Sequence, residues 1–360
     1  MAAHLNRIKN LATTGFTIVF VLTILIIAIP ATYLWLPAKV KYHIVEKHTL
    51  SVPEGHANVS LGLILPKSGP YQTVDNQRVQ WDGEQETVSY AHLDVVKLWG
   101  EIGEGEPQQV ILEYDVTLPQ GKTAWNSTVE QKYSSPQTGI ESDHPAIIDL
   151  AEQLSKDPYK IYQFTSQYLV FNLEKCGETN FSALETFKSA TGTCLGYSRL
   201  MVALCRAAGI PARMIIGTTL PDSFYPLAQS NTNGSRPSGH AWIEYYSRGN
   251  WHIADPSWGQ GYLSFLEFNH SDGLHLSFSE HDDFFKVQEQ LYNWAARQSF
   301  VKSEELTYII ASSKDSISVS TEIGIDKKWD GRWINTILVF ALVTILLCTI
   351  RNRFFLHRKS

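Results

Sequence analysis

Cysteine is scarce in this chain, with 4 in 360 residues. None of Cys176, Cys194, Cys205 and Cys348 stands at C-x-x-C spacing, so a zinc or thioredoxin-type dithiol has no support. A strong charge of one sign is also missing. The net charge is −6, and acidic and basic residues are spread through the middle of the chain. A nucleic-acid binder would gather its basic residues in a stripe, so no nucleic-acid partner is expected. Compact acidic clusters are absent too. Asp282-Asp283 and Glu304-Glu305 are too sparse for calcium, which wants many oxygen ligands. No internal repeat and no long low-complexity run occurs. The sequence therefore implies no metal and no cofactor, and any chemistry falls to its own side chains.

Aromatic and apolar residues are plentiful, with 10 Trp, so a sizeable core can form and the length leaves room for two domains. Two apolar runs are long enough to span a bilayer core, at 16–36 and 333–350. The first exceeds the usual apolar stretch of a cleaved signal and has no clean cleavage site, so an uncleaved anchor is expected. Arg351, Arg353, Arg358 and Lys359 follow the second run directly. Positive flanks prefer the cytoplasm. Segments 1–15 and 351–360 are therefore expected in the cytoplasm. The chain between the spans is expected outside it, on the cell-envelope or periplasmic side.

Residues 38–140 alternate with period two. Val59, Leu61, Leu63 and Leu65 share one face, as do Val110, Leu112, Tyr114, Val116 and Leu118. With turn clusters such as Pro66-Lys67-Ser68-Gly69-Pro70, this reads as an all-β, immunoglobulin-like sandwich that supports its neighbour. A polar stretch at 122–145 marks the boundary, and 141–330 is expected to form a second, α+β domain. In it, 147–168 reads as helices broken at Asp157-Pro158, and 181–189 as a further short helix. An amphipathic helix follows over 284–300, with Phe284, Val287, Leu291 and Trp294 at helical spacing. Ile317, Val319, Ile323 and Ile325 suggest a late strand.

The stretch Thr191–Gly217 organises that second domain. A Gly-containing turn precedes an apolar helix beginning at Cys194, which Gly209-Ile210-Pro211 terminates before the strand Met214-Ile215-Ile216. A helix start carries unpaired N–H groups and partial positive charge, which favour a thiolate and can cradle an oxyanion. Gly239-His240-Ala241-Trp242-Ile243-Glu244-Tyr245 and Trp251-His252-Ile253-Ala254-Asp255 read as adjacent antiparallel strands joined by the turn 247–250. The midpoint of positions 240 and 255 falls between Ser247 and Arg248, inside that turn, so His240 and Asp255 can lie side by side. Cys194, His240 and Asp255 then form a nucleophile, a base and the group that orients it. Trp242, which shares the His240 face, and Trp258 are candidates for lining a substrate cleft. The loop 220–238 is expected at the rim. His252, His275 and His281 are read as ordinary structural histidines, and Cys205 as a core residue. A Cys176–Cys205 disulfide stays open.

The segments GTCLGYSRLMVALCRAAGIPAR, GHAWIEY and WHIADPSW resemble the three core motifs of the transglutaminase-like superfamily. Those are papain-like enzymes with a Cys-His-Asp triad. The resemblance covers roughly 145–285 and maps Cys194, His240 and Asp255 onto the triad. It implies a membrane-anchored, bacterial-type member that attacks amide bonds of a peptide or protein through a thioester. An amine resolves that thioester in a transglutaminase, and water does so in a thiol peptidase or amidase. A non-catalytic envelope binding or assembly module on the same fold is the alternative. The resemblance marks no side chain for the oxyanion hole; Tyr168, Asn172 and Asn180 all remain open.

Overall fold

Alternation at period two governs the first third of the chain. The structure is a computed structural model that describes residues 37–172, 182–221, 238–260, 267–298, 300–304, 307–314 and 316–356, without side chains at 238, 300, 302–304, 343 and 346–356. Seven strands come first: β1 (Ala38–Ser51), β2 (His56–Pro66), β3 (Thr73–Gln80), β4 (Glu84–Ser89), β5 (Leu93–Gly103), β6 (Gln108–Lys122) and β7 (Ala124–Trp125). Then come helices α1 (Pro145–Gln153) and α2 (Pro158–Tyr168), strand β8 (Val170–Phe171), helix α3 (Ala183–Ser189), strand β9 (Thr191–Gly192) and helix α4 (Cys194–Ala207). Strands β10 (Ala212–Thr219), β11 (Ser238–Ser247), β12 (Asn250–Ala254), β13 (His270–Asp272) and β14 (His275–Glu280) precede helix α5 (His281–Gln298). Strands β15 (Phe300–Glu304), β16 (Tyr308–Ser312) and β17 (Ser318–Asp330) lead into helix α6 (Gly331–Leu356).

The strands form three larger sheets. One runs β13-β6-β1-β17, with β3 also on β6; the second runs β15-β16-β2-β5-β4; the third runs β14-β10-β11-β12-β7. Inward residues of β1, β2 and β6, among them Val40, Tyr42, Leu61, Leu63, Val110 and Tyr114, meet in one apolar core. At roughly 25 cal/mol per Å² of buried apolar surface, such side chains supply most of the drive to fold. The β-rich region is not the self-contained run 38–140 that the pattern suggested. Strand β17 pairs with β1 and strand β16 with β2, so both ends of the chain build it. The late strand was legible as a strand, but its partner lies far away in sequence and alternation does not encode partners.

The alternation of β2 also hides a second contact. All of Val59–Pro66 is buried, because α5 covers the outer face and places Leu291 against the bare backbone of Gly62. Phe284, Val287 and Leu291 are buried along α5, as the helical spacing predicted. The helix starts of the second half have local causes. Asp157 accepts from the N–H groups of Tyr159 and Lys160 and starts α2, with Pro158 just inside. Ser182 and Glu185 form a reciprocal capping box at α3.

Among the described residues no helix is long and apolar enough to cross a membrane. The first expected span lies outside the described residues. Helix α6 covers the second run and leaves Ile337, Leu338, Leu342 and Ile345 more than half exposed.

Candidate active site

Cys194 is the first residue of α4. Thr193 precedes it in extended conformation and makes no side-chain cap, while its carbonyl accepts from the Tyr197 N–H. Helix geometry leaves the first-turn N–H groups without intrahelical partners, so the thiol sits beside donors aimed at one point. Gly192 and Gly196 make this start possible. A side chain at Gly196 would press on Thr186, and one at Gly192 on Thr186 and the Gly196 backbone. Helix α4 packs on β10 and β11, with Leu200 to Cys205 fully buried. Cys205 is a free thiol in that core, and burial pushes it up to about 12. Cys176 lies outside the described residues.

His240 stands on β11 opposite Gly217 of β10. Its Nε2 lies 2.6 Å from Asp255 Oδ2, and Cys194 is a further hydrogen-bond partner of the ring. With Nε2 committed to Asp255, the nitrogen left for the sulfur is Nδ1. The structure thus brings the three residues together, though not by the expected register. Ser247 pairs with Asn250 and Ile243 with Ala254, around a two-residue turn at Arg248-Gly249 with φ of 52° and 82°. Two positive φ values are what a tight hairpin turn demands. Continued on that register, His240 would face Ser257. Asp255 follows the last residue of β12 and reaches His240 diagonally, a contact within the span of such neighbours.

Asp255 is buried and fully engaged. Its Oδ1 accepts from the Ser257 N–H at 2.8 Å, the Ser257 hydroxyl at 2.7 Å and the Trp258 N–H at 3.2 Å. Burial alone would raise its carboxyl. The charge and hydrogen bond of His240, then His275, outweigh burial and hold it far below the ordinary range. Burial would likewise lower His240, but Asp255 and then Cys194 overcome it and push the imidazole up to about 9. The Asp255 carboxylate thus favours the protonated form of the His240 ring.

Trp242 and Trp258 do not line an open cleft. Both are buried, with Trp258 5.4 Å and Trp242 6.1 Å from the His240 ring, and they wall the imidazole from below. Beyond the triad, Gln260 donates to the Tyr197 hydroxyl at 2.6 Å and to the Leu169 carbonyl at 3.0 Å, tying the chain after Asp255 to α4 and the end of α2. Tyr168 turns its hydroxyl to the Phe187 carbonyl, and Asn180 lies outside the described residues. Of the expected rim loop, 222–237 also lies outside them.

The sequence reading gave His275 no role in the site, yet its Nε2 lies 3.2 Å from the same Asp255 oxygen. Its other nitrogen meets Asp272 at 3.0 Å. The one local signal is Asp272-Gly273-Leu274-His275. Asp272 turns the chain by accepting from the Leu274 N–H, and the spacing returns His275 to it. His240, Asp255 and His275 offer ligand atoms within 4.8 Å of one another, a set that could hold a metal ion. Those atoms are already spent on hydrogen bonds to each other, which fits a relay better than a metal centre.

The half-buried Cys194 thiol, the buried His240 imidazole and the buried Asp255 carboxylate thus meet at a helix start. Residues 146–256, which contain all three members, match the family profile described as the transglutaminase-like superfamily. That match supports the superfamily for the segment carrying the site. Over 135 residues the chain is 24% identical to Kyphoscoliosis peptidase of Mus musculus, and over the same length 23% identical to that of Homo sapiens. The alignments take in 36% of this chain and 20% of either relative, so the chain spans about a fifth of the curated relatives it matches. Among solved structures, the "Putative Cysteine Protease from Cytophaga hutchinsonii" aligns over 82% of this chain and 93% of its own, with 17% identity and a TM-score of 0.49. A likeness at that level carries no argument about activity.

Proposed function

We propose that the chain is a membrane-anchored thiol enzyme acting on amide bonds of peptide or protein substrates, with Cys194 as nucleophile, His240 as acid and base, and Asp255 as its orienting partner. One observation carries this reading: the buried His240 ring bridges Asp255, at 2.6 Å, and the half-buried Cys194 sulfur. The sulfur attacks the amide carbonyl while first-turn N–H groups of α4 receive the oxyanion. The C–N bond breaks as His240 gives its proton to the departing amine, leaving a thioester. His240 then takes a proton from water or an acceptor amine, which displaces the sulfur as thiolate and restores the thiolate–imidazolium pair. The peptidase name of the curated relatives favours water as the acceptor.

The anchoring rests on α6. Six apolar side chains on it, Ile334, Ile337, Leu338, Phe340, Leu342 and Ile345, are exposed, and exposed Trp329 and Trp333 stand at its base. Apolar helix faces with Trp at the edge suit a bilayer and its interface. Read with the apolar run at 16–36 and the basic residues after position 350, this supports two anchoring segments with the enzyme outside the cytoplasm. The test is to incubate full-length protein in detergent with a glutamine-containing protein and a labelled amine. Cleavage, ammonia release or amine incorporation that disappears in Cys194→Ala is expected. Undiminished turnover by Cys194→Ala would remove the assignment.

A further inference from the structure

Asp255 is held from two sides. His240 approaches Oδ2 from β11, and His275 approaches the same oxygen from β14. Register accounts for the convergence. His240 pairs with Gly217 and His275 with Thr219 on the two sides of β10, so both imidazoles fall on one face.

His275 has a carboxylate at each nitrogen, Asp272 Oδ1 at 3.0 Å from Nδ1 and Asp255 Oδ2 at 3.2 Å from Nε2. An ionised carboxylate only accepts, so each nitrogen has to carry a hydrogen, and an imidazole with two N–H groups is the cation. We propose that His275, fixed by Asp272, is a positioning residue. It clamps Asp255 opposite His240, and its resident positive charge limits how tightly Asp255 holds the His240 proton. The inference rests on the triad reading above.

The surroundings fit a fixed charge. His275 is 2% exposed and Asp272 1%. The groups facing the imidazole are Asp272 from β13, Asp255 from the end of β12, the His240 ring at 5.4 Å from β11, and the rings of Trp242 and Trp258 at 4.8 and 5.0 Å. Burial would lower His275, but Asp272 and then Asp255 outweigh it and hold it well above the ordinary histidine value. Asp272 in turn is anchored by the β-rich region. It pairs with Gln120 of β6, its neighbour Ser271 donates to the Pro119 carbonyl at 2.6 Å and meets the Tyr71 hydroxyl at 2.8 Å, and Tyr42 donates to the Gly273 carbonyl at 3.1 Å.

The charges therefore alternate from Asp272 through His275 and Asp255 to His240. Without the His275 cation, Asp255 would act on His240 alone and deepen its hold on a proton that must leave during turnover.

Iodoacetate reads this directly. Its carboxylate is drawn to the His240 imidazolium, so the rate of Cys194 alkylation falls at high pH as His240 loses its proton. In the full chain in detergent, His275→Gln keeps a donor near the Nε2 position and removes the charge. The alkaline limb is expected to move up by about one pH unit. A wild-type limb in folded His275→Gln overturns this inference alone. An unchanged limb in His240→Ala removes the triad, and this inference with it. Should His275→Gln not fold, wild-type protein with nitrogen-15 histidine decides. Two imidazoles, His240 and one more, should stay doubly protonated at pH 8. A single one overturns the proposal.

Discussion

Trp242 lies against Gly217. A side chain added at that glycine would run into the far edge of the indole and into the Leu276 carbonyl on the neighbouring strand. Gly217 is also the partner of His240 across β10 and β11, so the bare backbone lets the indole lie under the imidazole. Gly217→Ala should lose about 1–3 kcal/mol, the usual cost of overpacking a tight core. The Leu276 carbonyl belongs to a paired strand and cannot swing aside. Thermal melts of the two proteins check this, and an unchanged melting temperature would mean that the strands part more easily than drawn.

Asp255→Asn should bring the His240 proton into easier reach. Burial lowers His240 and Asp255 more than reverses it, to about 9. A histidine raised in the fold contributes stability that is complete below its unfolded value of about 6.5 and is lost as pH rises through about 9. Removing the carboxylate should therefore draw the alkaline limb of iodoacetate alkylation down by about 1–3 units. The same substitution should cut turnover by a thousandfold or more, on the order seen when one member of a coupled triad is lost. A limb that stays near 9 would show that another group holds the imidazolium.

Much of this was readable beforehand because its causes are local. Asp157-Pro158 starts a helix by its own chemistry, and the turn before Cys194 and the stop at Gly209-Ile210-Pro211 bound α4 within a few residues. His240 and Asp255 were legible as partners for a reason that proved approximate. The hairpin is tighter by one rung than its polar residues suggest, and the contact survives because Asp255 reaches across the diagonal. His275 stayed hidden because its role depends on β14 lying against β10, a pairing between distant segments that leaves no mark on either one. The placement of β15 to β17 was missed on the same grounds.

Glu46 offers a test of stability apart from the site. It points into the β-rich core on β1, 8% exposed, and accepts from the Tyr114 hydroxyl at 3.3 Å. Burial pushes it from 4.5 up to about 7, and the Tyr114 bond only partly offsets this. A carboxyl raised in the fold favours folding fully below its unfolded value, and that advantage is lost as pH rises through about 7. Glu46→Gln should therefore be more stable than wild type at pH 8, by on the order of 2–3 kcal/mol, and nearly equal to it at pH 4. Denaturant melts at the two pH values measure it; an equal gap at both would exclude titration of Glu46 as the cause.

Membrane placement gives a fourth expectation. With segments 1–15 and 351–360 inside, protease added to right-side-out spheroplasts should digest the region between 40 and 330, and the segments before 16 and after 350 should remain protected. Protection of the central region would reverse the proposed orientation.

The first and last strands lie side by side, with Val40 paired to Asp330 and Asn335 of α6 donating to the Pro37 carbonyl at 2.9 Å. The folded body is thus a closed loop of chain that leaves and re-enters at one point. Cutting the backbone at either leg would not release it, because the twelve rungs between β1 and β17, from Val40 to Ser51, still tie the loose end to the held one. Tension between the legs would load those rungs one at a time from Val40 inward, peeling the pair as a zipper opens. The body would yield there first, at the end of the sheet that joins the two legs.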